Sequence, residues 1–331
     1  MKKEKAKNKG THRALWGLIY AATFLVVFAA SAVFKMVHQP TWAKDYEVDF
    51  SDAVGRKYAD LSYGDGDANK FDLYVPADGT RERYSLVVYL HAGGFTTGDK
   101  TDDTKTLEWL CSKGYVAAGI NYTLFSEEHP DANVYTQSVE IRDSIPYVVA
   151  EAEKLGYHID EMAISGGSAG HCLAMLYAYR DADHSPVPVR CVLGAVGPSS
   201  FYPEDWGCFG VDQDTDEARE AAAGLFGVMA GKEISPEWFG TPAYDEAIKD
   251  ISALLWVDDD TVPSLFCYGA HDKVQSFPAS RRLDAALTAH NIPHDYIVCE
   301  HSGHGLQNDN AEFHRYYQKM EEYLDTYLPV K

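Results

Sequence analysis

The chain has 331 residues, 46% hydrophobic and 24% charged, which is ample for one large α/β domain with an insertion or for two small domains. Its formal charge is -21, although six of the first 13 residues are Lys or Arg against a single Glu. An acidic body repels phosphate backbones, so composition argues against nucleic acid as a partner.

Residues 1–13 form the basic tail. Ala14 to Phe34 follow, 21 residues without a charge. As a helix this run is about 31 Å long, enough to cross the hydrocarbon core of a bilayer. The basic tail and Lys35 bracket it, so the positive-inside rule keeps the tail cytoplasmic and exports the body. Ala30-Ser31-Ala32 resembles a small-residue cleavage site, which makes a removed signal peptide the competing expectation. The length of the span favours an uncleaved membrane anchor. Residues 35–55 read as a linker and 56–331 as the folded domain.

Within that domain, "RKYADLSYG" and "NKFDLYVP" are strand-like runs around a turn-rich "DGDA". "YSLVVYLH" reads as a strand, "TDDTKTLEWLCSKG" as a helix stopping at Gly114, and "YVAAGINY" as a strand. A long amphipathic helix, "YTQSVEIRDSIPYVVAEAEKLG", is expected to break or bend at Pro146. Strand "EMAISGG", helix "AGHCLAMLYAYR", and strands "VPVRCVLGAVG", "PSLFCYGA" and "HDYIVCE" complete the alternation, with helices "ASRRLDAALTAHN" and "AEFHRYYQKMEEYLDTYL". Continuous apolar strands alternating with helices imply an α/β fold: a mostly parallel central sheet with helices on both faces. The segment from about 198 to 257 breaks the pattern with a helical, aromatic, acidic insertion. It falls where open α/β sheets bind ligands and is expected to cap the site. Of the six cysteines, Cys172, Cys191, Cys267 and Cys299 lie in apolar elements and read as buried thiols. Cys111 and Cys208 have no clear setting, and no Cys or His spacing suggests zinc.

Ser168 lies in Gly166-Gly167-Ser168-Ala169-Gly170, a G-x-S-x-G run between a strand and a helix. A serine at so sharp a turn needs small neighbours, and the turn lifts its hydroxyl toward the helix N-terminus. A serine nucleophile needs a base, and the base needs an orienting acid. Asp272 follows a strand that ends near Gly269, and His304 sits between Gly303 and Gly305 after the next strand. They are preferred over Asp258, Asp259 and Asp260, which precede their strand, and over His301; His271, His171 and His290 read as bystanders. The loop His91-Ala92-Gly93-Gly94-Phe95 follows a strand upstream of the serine. Its free N–H groups, from Gly93 and Gly94, together with that of Ala169, are the expected oxyanion donors.

From about Phe71 to Leu328 the chain resembles the α/β-hydrolase superfamily, specifically the acetyl-esterase and hormone-sensitive-lipase-like carboxylesterases, and is also similar to the feruloyl-esterase-like branch. The resemblance is carried by "FDLYVP", "HAGGF", "NYTLFSEEHP", "ISGGSAGHCLA" and "YGAHDKV" with "HSGHG". Ala92 stands where the family usually has glycine, Thr123 where it often has Arg, and His171 where a glycine often follows the elbow. These departures bear on substrate preference. The resemblance implies a serine carboxylesterase with triad Ser168, Asp272 and His304, working without a cofactor. Its expected substrates are short-chain, including acetyl, esters of small molecules or carbohydrates. An amidase or peptidase on the same triad, and a silent binding or sensing module, are the rival expectations.

Overall fold

The computed structural model describes residues 40–331. The basic tail 1–13, the apolar span 14–34 and the start of the linker lie outside the described residues. Among the described residues no helix is long and apolar enough to cross a membrane. A short 3₁₀ turn occupies Thr41–Tyr46. The compact body begins at Tyr46, earlier than composition suggests. The reason is aromatic packing: Tyr46 lies 5.2 Å from Trp109 and 4.7 Å from Tyr317, and Phe50 lies 5.8 Å from Tyr74, centroid to centroid.

Eight strands form one sheet: β1 Gly55–Ser62, β2 Lys70–Pro76, β3 Tyr84–Leu90, β4 Val116–Ile120, β5 Ile159–Gly167, β6 Val189–Ala195, β7 Ser264–Gly269 and β8 His294–Cys299. Their spatial order is β1-β2-β4-β3-β5-β6-β7-β8. The pairs β1/β2 and β2/β4 are antiparallel, and every pair from β4/β3 to β7/β8 is parallel. The register aligns Leu90 with Gly166, Gly166 with Gly194, and Gly269 with Cys299. The carboxyl ends of β3, β5, β6, β7 and β8 therefore share one edge, the edge where such sheets place ligands.

Helices α1 Thr104–Ser112, α2 Val134–Lys154 and α3 Ala169–Arg180 cover the sheet together with α6 Phe277–Ala289 and α7 Asn310–Tyr327, while α4 Asp216–Ala230 and α5 Pro242–Ile248 pack on other helices. Alternate strand residues divide between its faces, as the pleat requires. Leu86, Val88 and Leu90 join a core with α2, α3 and α6, whereas Val87, Ala163 and Cys267 join a second core with α1 and α7. Helix α2 starts with a reciprocal cap: Thr136 N–H donates to Asn133 Oδ1 (3.0 Å) and Asn133 N–H donates to Thr136 Oγ1 (2.9 Å). It runs unbroken through Pro146. That proline is exposed, so the Arg142 carbonyl it deprives of a partner lies on the side facing water.

The segment between β6 and β7 is mostly helical, built from α4, α5 and short 3₁₀ turns. Its Phe201, Trp206 and Phe226 join the core that holds Leu86, Val88 and Leu90, with Trp206 donating from Nε1 to the Ser200 carbonyl at 3.1 Å. All six cysteines are unpaired thiols; five are buried and Cys208 is exposed. Burial pushes the Cys111 and Cys191 thiols up to about 12.

Candidate active site

Strand β5 ends at Gly167 and helix α3 begins at Ala169, so Ser168 alone makes the turn between them. Its backbone sits at φ +50°, ψ -119°, a conformation costing a non-glycine residue about 1–3 kcal/mol. Neighbouring hydrogen bonds hold it there: Ser168 N–H donates to Ala195 O (2.9 Å) and Cys172 N–H to Ser168 O (3.1 Å). The flanking glycines are required by close approach. A Cβ on Gly166 would collide with the Gly170 backbone, and one on Gly170 with the carbonyls of Leu90 and His91.

His304, in the loop after β8, places Nε2 2.9 Å from Ser168 Oγ. Its Nδ1 lies 2.7 Å from Asp272 Oδ2, on the loop after β7. The Asp272 side chain is inaccessible to solvent, while His304 is about a quarter exposed. Asp272 Oδ1 accepts the N–H groups of Val274 (2.8 Å) and Gln275 (3.1 Å), so the buried carboxylate is hydrogen-bonded on both oxygens. The three side chains chosen from sequence thus form one continuous hydrogen-bonded chain.

The competing residues are engaged elsewhere. His301 points outward and pairs with Asp309 at 2.8 Å, a partner that raises its pKa. Asp309 also accepts from the His301 N–H (2.9 Å) and Ser302 Oγ (2.6 Å), pinning the loop that carries His304. Asp258 caps its own turn through Asp260 N–H and Thr261 Oγ1, and Asp259 pairs with His290 at 2.7 Å. Both precede β7 and so lie away from its carboxyl end.

Gly93 and Gly94 follow β3, the parallel neighbour of β5, at φ +130° and +60°. Neither N–H has an acceptor among the described residues, and their loop is closed by Thr96 and Thr97 N–H groups on the Gly93 carbonyl. Ala169 opens α3, where the first N–H groups lack helical partners. The N–H groups of Gly93, Gly94 and Ala169 are thus uncommitted donors at the carboxyl ends of β3 and β5. Residues not legible in sequence brace this loop. His91 is buried and stacks on Tyr122 at 4.3 Å, whose hydroxyl donates to the His91 carbonyl (3.0 Å). Gln137 Nε2 donates to the carbonyls of Phe95 and Thr123, both at 2.9 Å, joining the glycine loop to the segment after β4. A glutamine among apolar positions of α2 is the available signal.

His171 does not stand at the mouth. It is fully buried, its Nδ1 accepts the Gly197 N–H at 3.1 Å, and burial pushes its pKa down to about 3. Gly194 and Gly197 make room for its ring, since a Cβ on either would collide with it. It is a packing residue beneath the elbow, and the expectation that it bears on substrate preference is corrected accordingly. The insertion is tied to the acid loop instead: Ser276 Oγ donates to the Asp205 carbonyl (2.7 Å) and Arg282 pairs with the Asp205 carboxylate.

A mostly parallel sheet, a serine at a strained strand-to-helix turn after β5, an aspartate after β7 and a histidine after β8 define an α/β-hydrolase. Within that class the chain belongs to the BD-FAE family, whose model matches residues 71–287. It is 25% identical over 231 residues to dipeptidyl aminopeptidase BIII of Pseudoxanthomonas mexicana, covering 67% of this chain and 30% of that protein. It is 31% identical over 137 residues to the probable carboxylic ester hydrolase LipM of Mycobacterium tuberculosis, covering 39% of this chain and 31% of the relative. The chain therefore spans about a third of the length of these curated relatives. In fold it is similar to the esterase Est2 of Thermogutta terrifontis, with a TM-score of 0.62 and 19% identity over 86% of this chain and 96% of that one.

Proposed function

We propose that this protein is a serine carboxylesterase that hydrolyses short-chain acyl esters through an acyl-enzyme. The observation that carries the reading is the run Asp272–His304–Ser168, with links of 2.7 and 2.9 Å, ending on a serine at a strained turn. Similarity to a probable carboxylic ester hydrolase and to an esterase fold supports it.

Ser168 Oγ attacks the acyl carbonyl while His304 Nε2 takes its proton. Asp272, holding Nδ1–H, fixes the tautomer that leaves Nε2 free to accept and stabilises the imidazolium as it forms. The carbonyl oxygen becomes an oxyanion, met by the N–H groups of Gly93, Gly94 and Ala169. Losing one such donor costs about 10²–10³ in kcat in comparable sites. Collapse expels the alcohol, protonated by His304. Water, deprotonated by the same imidazole, then attacks the acyl-enzyme, and Ser168 leaves with the proton returned. The segment 198–257 caps the site, its base fixed to the Asp272 loop through Asp205 and Ser276.

Substrates in this reading are short acyl, including acetyl, esters of small molecules or carbohydrates. Similarity to a dipeptidyl aminopeptidase supports a second reading, amide cleavage on the same three residues. Matched ester and amide substrates separate the two. Ser168→Ala in the full chain is expected to abolish hydrolysis of p-nitrophenyl acetate, and full retained activity would refute the assignment. We further propose that residues 14–34 hold the catalytic body outside the cell membrane. Deleting residues 1–34 then moves the protein out of the membrane fraction; continued membrane sedimentation contradicts this.

A further inference from the structure

Gly167 differs from the two glycines that flank the elbow. Like theirs, its φ lies outside the left-handed region, but its surroundings are open. A Cβ placed on it would meet Tyr89 Oη at 3.8 Å and Ala92 Cβ at 3.9 Å, both ordinary contacts. Neither backbone geometry nor close packing therefore demands glycine here. What the missing side chain leaves is space. Gly167 forms part of the wall of a recess of about 180 Å³, together with Tyr89, His304, Phe313, Tyr316 and Tyr317. Phe313 and Tyr316 are parallel within 3°, with centroids 6.2 Å apart, and Tyr317 lies edge-on to both. An apolar cavity of about 150 Å³ binds benzene, so this volume suits one aromatic ring with a short tether. Walls made of ring faces and edges favour a flat guest over a branched chain.

We propose that this recess is a subsite for an aromatic ring carried on the alcohol half of the ester, and that Gly167 sets its size. The inference rests on the esterase reading above. His304 forms one wall, and its imidazole hands a proton to the departing alcohol oxygen. The group bonded to that oxygen is therefore the part of the substrate that lies against His304. A side chain at position 167 would start at the elbow and project toward Tyr89, filling the volume a ring would take.

The experiment compares kcat/KM for benzyl acetate and ethyl acetate, whose alcohols are of similar acidity, in the full-length wild type, Gly167→Leu and Met320→Ala. Ethyl phenylacetate provides the acyl-side arm, and fluorophosphonate labelling reports on Ser168. Wild type is expected to prefer benzyl acetate, and Gly167→Leu to reduce the benzyl-to-ethyl ratio by about tenfold or more. Met320, on another wall of the recess, supplies the opposite change. Met320→Ala enlarges the space and is expected to raise kcat/KM for 2-naphthylmethyl acetate relative to benzyl acetate, even if Gly167→Leu does not fold. Ratios within about twofold of wild type in the folded variants overturn the subsite while leaving the esterase reading intact. A change confined to ethyl phenylacetate overturns the assignment to the alcohol half. A wild type that neither hydrolyses these esters nor takes up the label removes both readings together.

Discussion

Replacing Asp272 by Asn tests the middle of the hydrogen-bonded chain while leaving its shape nearly untouched. The asparagine carbonyl oxygen can take the place of Oδ1, which accepts from Val274 and Gln275 at 2.8 and 3.1 Å. The amide NH₂ then faces His304 Nδ1, now 2.7 Å from a carboxylate oxygen. Two N–H groups cannot face each other in a side chain shut off from solvent, so Nδ1 must become the acceptor and Nε2 must carry the proton. A protonated Nε2 donates to Ser168 instead of accepting from it. In a serine–histidine–aspartate site this tautomer switch lowers kcat by about 10⁴, equivalent to about 5 kcal/mol in the barrier. Stopped-flow hydrolysis of p-nitrophenyl acetate resolves acylation from later steps, and an unchanged thermal midpoint shows that the fold has survived. If Asp272→Asn keeps kcat within about tenfold of wild type, Asp272 is not the orienting acid and the tautomer argument is wrong.

Two further predictions concern stability. Asp103 precedes α1 without capping it, and burial, with Asp102 adding repulsion, raises its pKa to about 7. The unfolded chain ionises it near the ordinary carboxylate value of 3.8. The folded state therefore loses relative stability as pH rises from about 4 to about 7. Asp103→Asn should match wild type below pH 4 and exceed it at pH 8 by on the order of 2–4 kcal/mol in urea unfolding; a difference independent of pH refutes this. Asp72, buried on β2, is bridged by Lys57 at 2.7 Å and Lys100 at 3.3 Å and accepts the Asp60 N–H at 3.0 Å. Asp72→Ala leaves the buried Lys100 with Asp60 alone, at 2.8 Å, and removes the acceptor of the Asp60 N–H; it should cost about 3 kcal/mol, the low end for removing one partner of a buried pair, because Lys100 keeps Asp60 and the Lys57 side chain is 30% exposed. A loss below about 1 kcal/mol would mean that water already shields the group.

The sheet was legible because its inner parallel strands β3, β4 and β7 are buried on both faces and read as nearly unbroken apolar runs. The elbow was legible because only glycine fits where Gly166 and Gly170 meet neighbouring backbone. Chain order and strand ends then singled out Asp272 and His304, which the structure brings to Ser168. Tertiary contacts were out of reach. His171 lies beside the elbow in sequence yet is buried, because Gly194 and Gly197, on a different strand and loop, make space for it. Gln137 braces the glycine loop from a helix 42 residues away from Phe95. Pro146 looked like a helix breaker, but its place on the exposed side of α2 lets the helix continue. The recess at Gly167 depends on rings from α7, which no pattern near the serine announces.

The central claim is that Ser168 is the nucleophile. Its most direct test is to treat the full-length protein with a fluorophosphonate, digest it, and locate the adduct by mass spectrometry. The account predicts one stoichiometric phosphonyl group on Ser168, with labelling lost in Ser168→Ala and slowed in Asp272→Asn. An unlabelled Ser168, or an adduct on another residue that persists in Ser168→Ala, would contradict it.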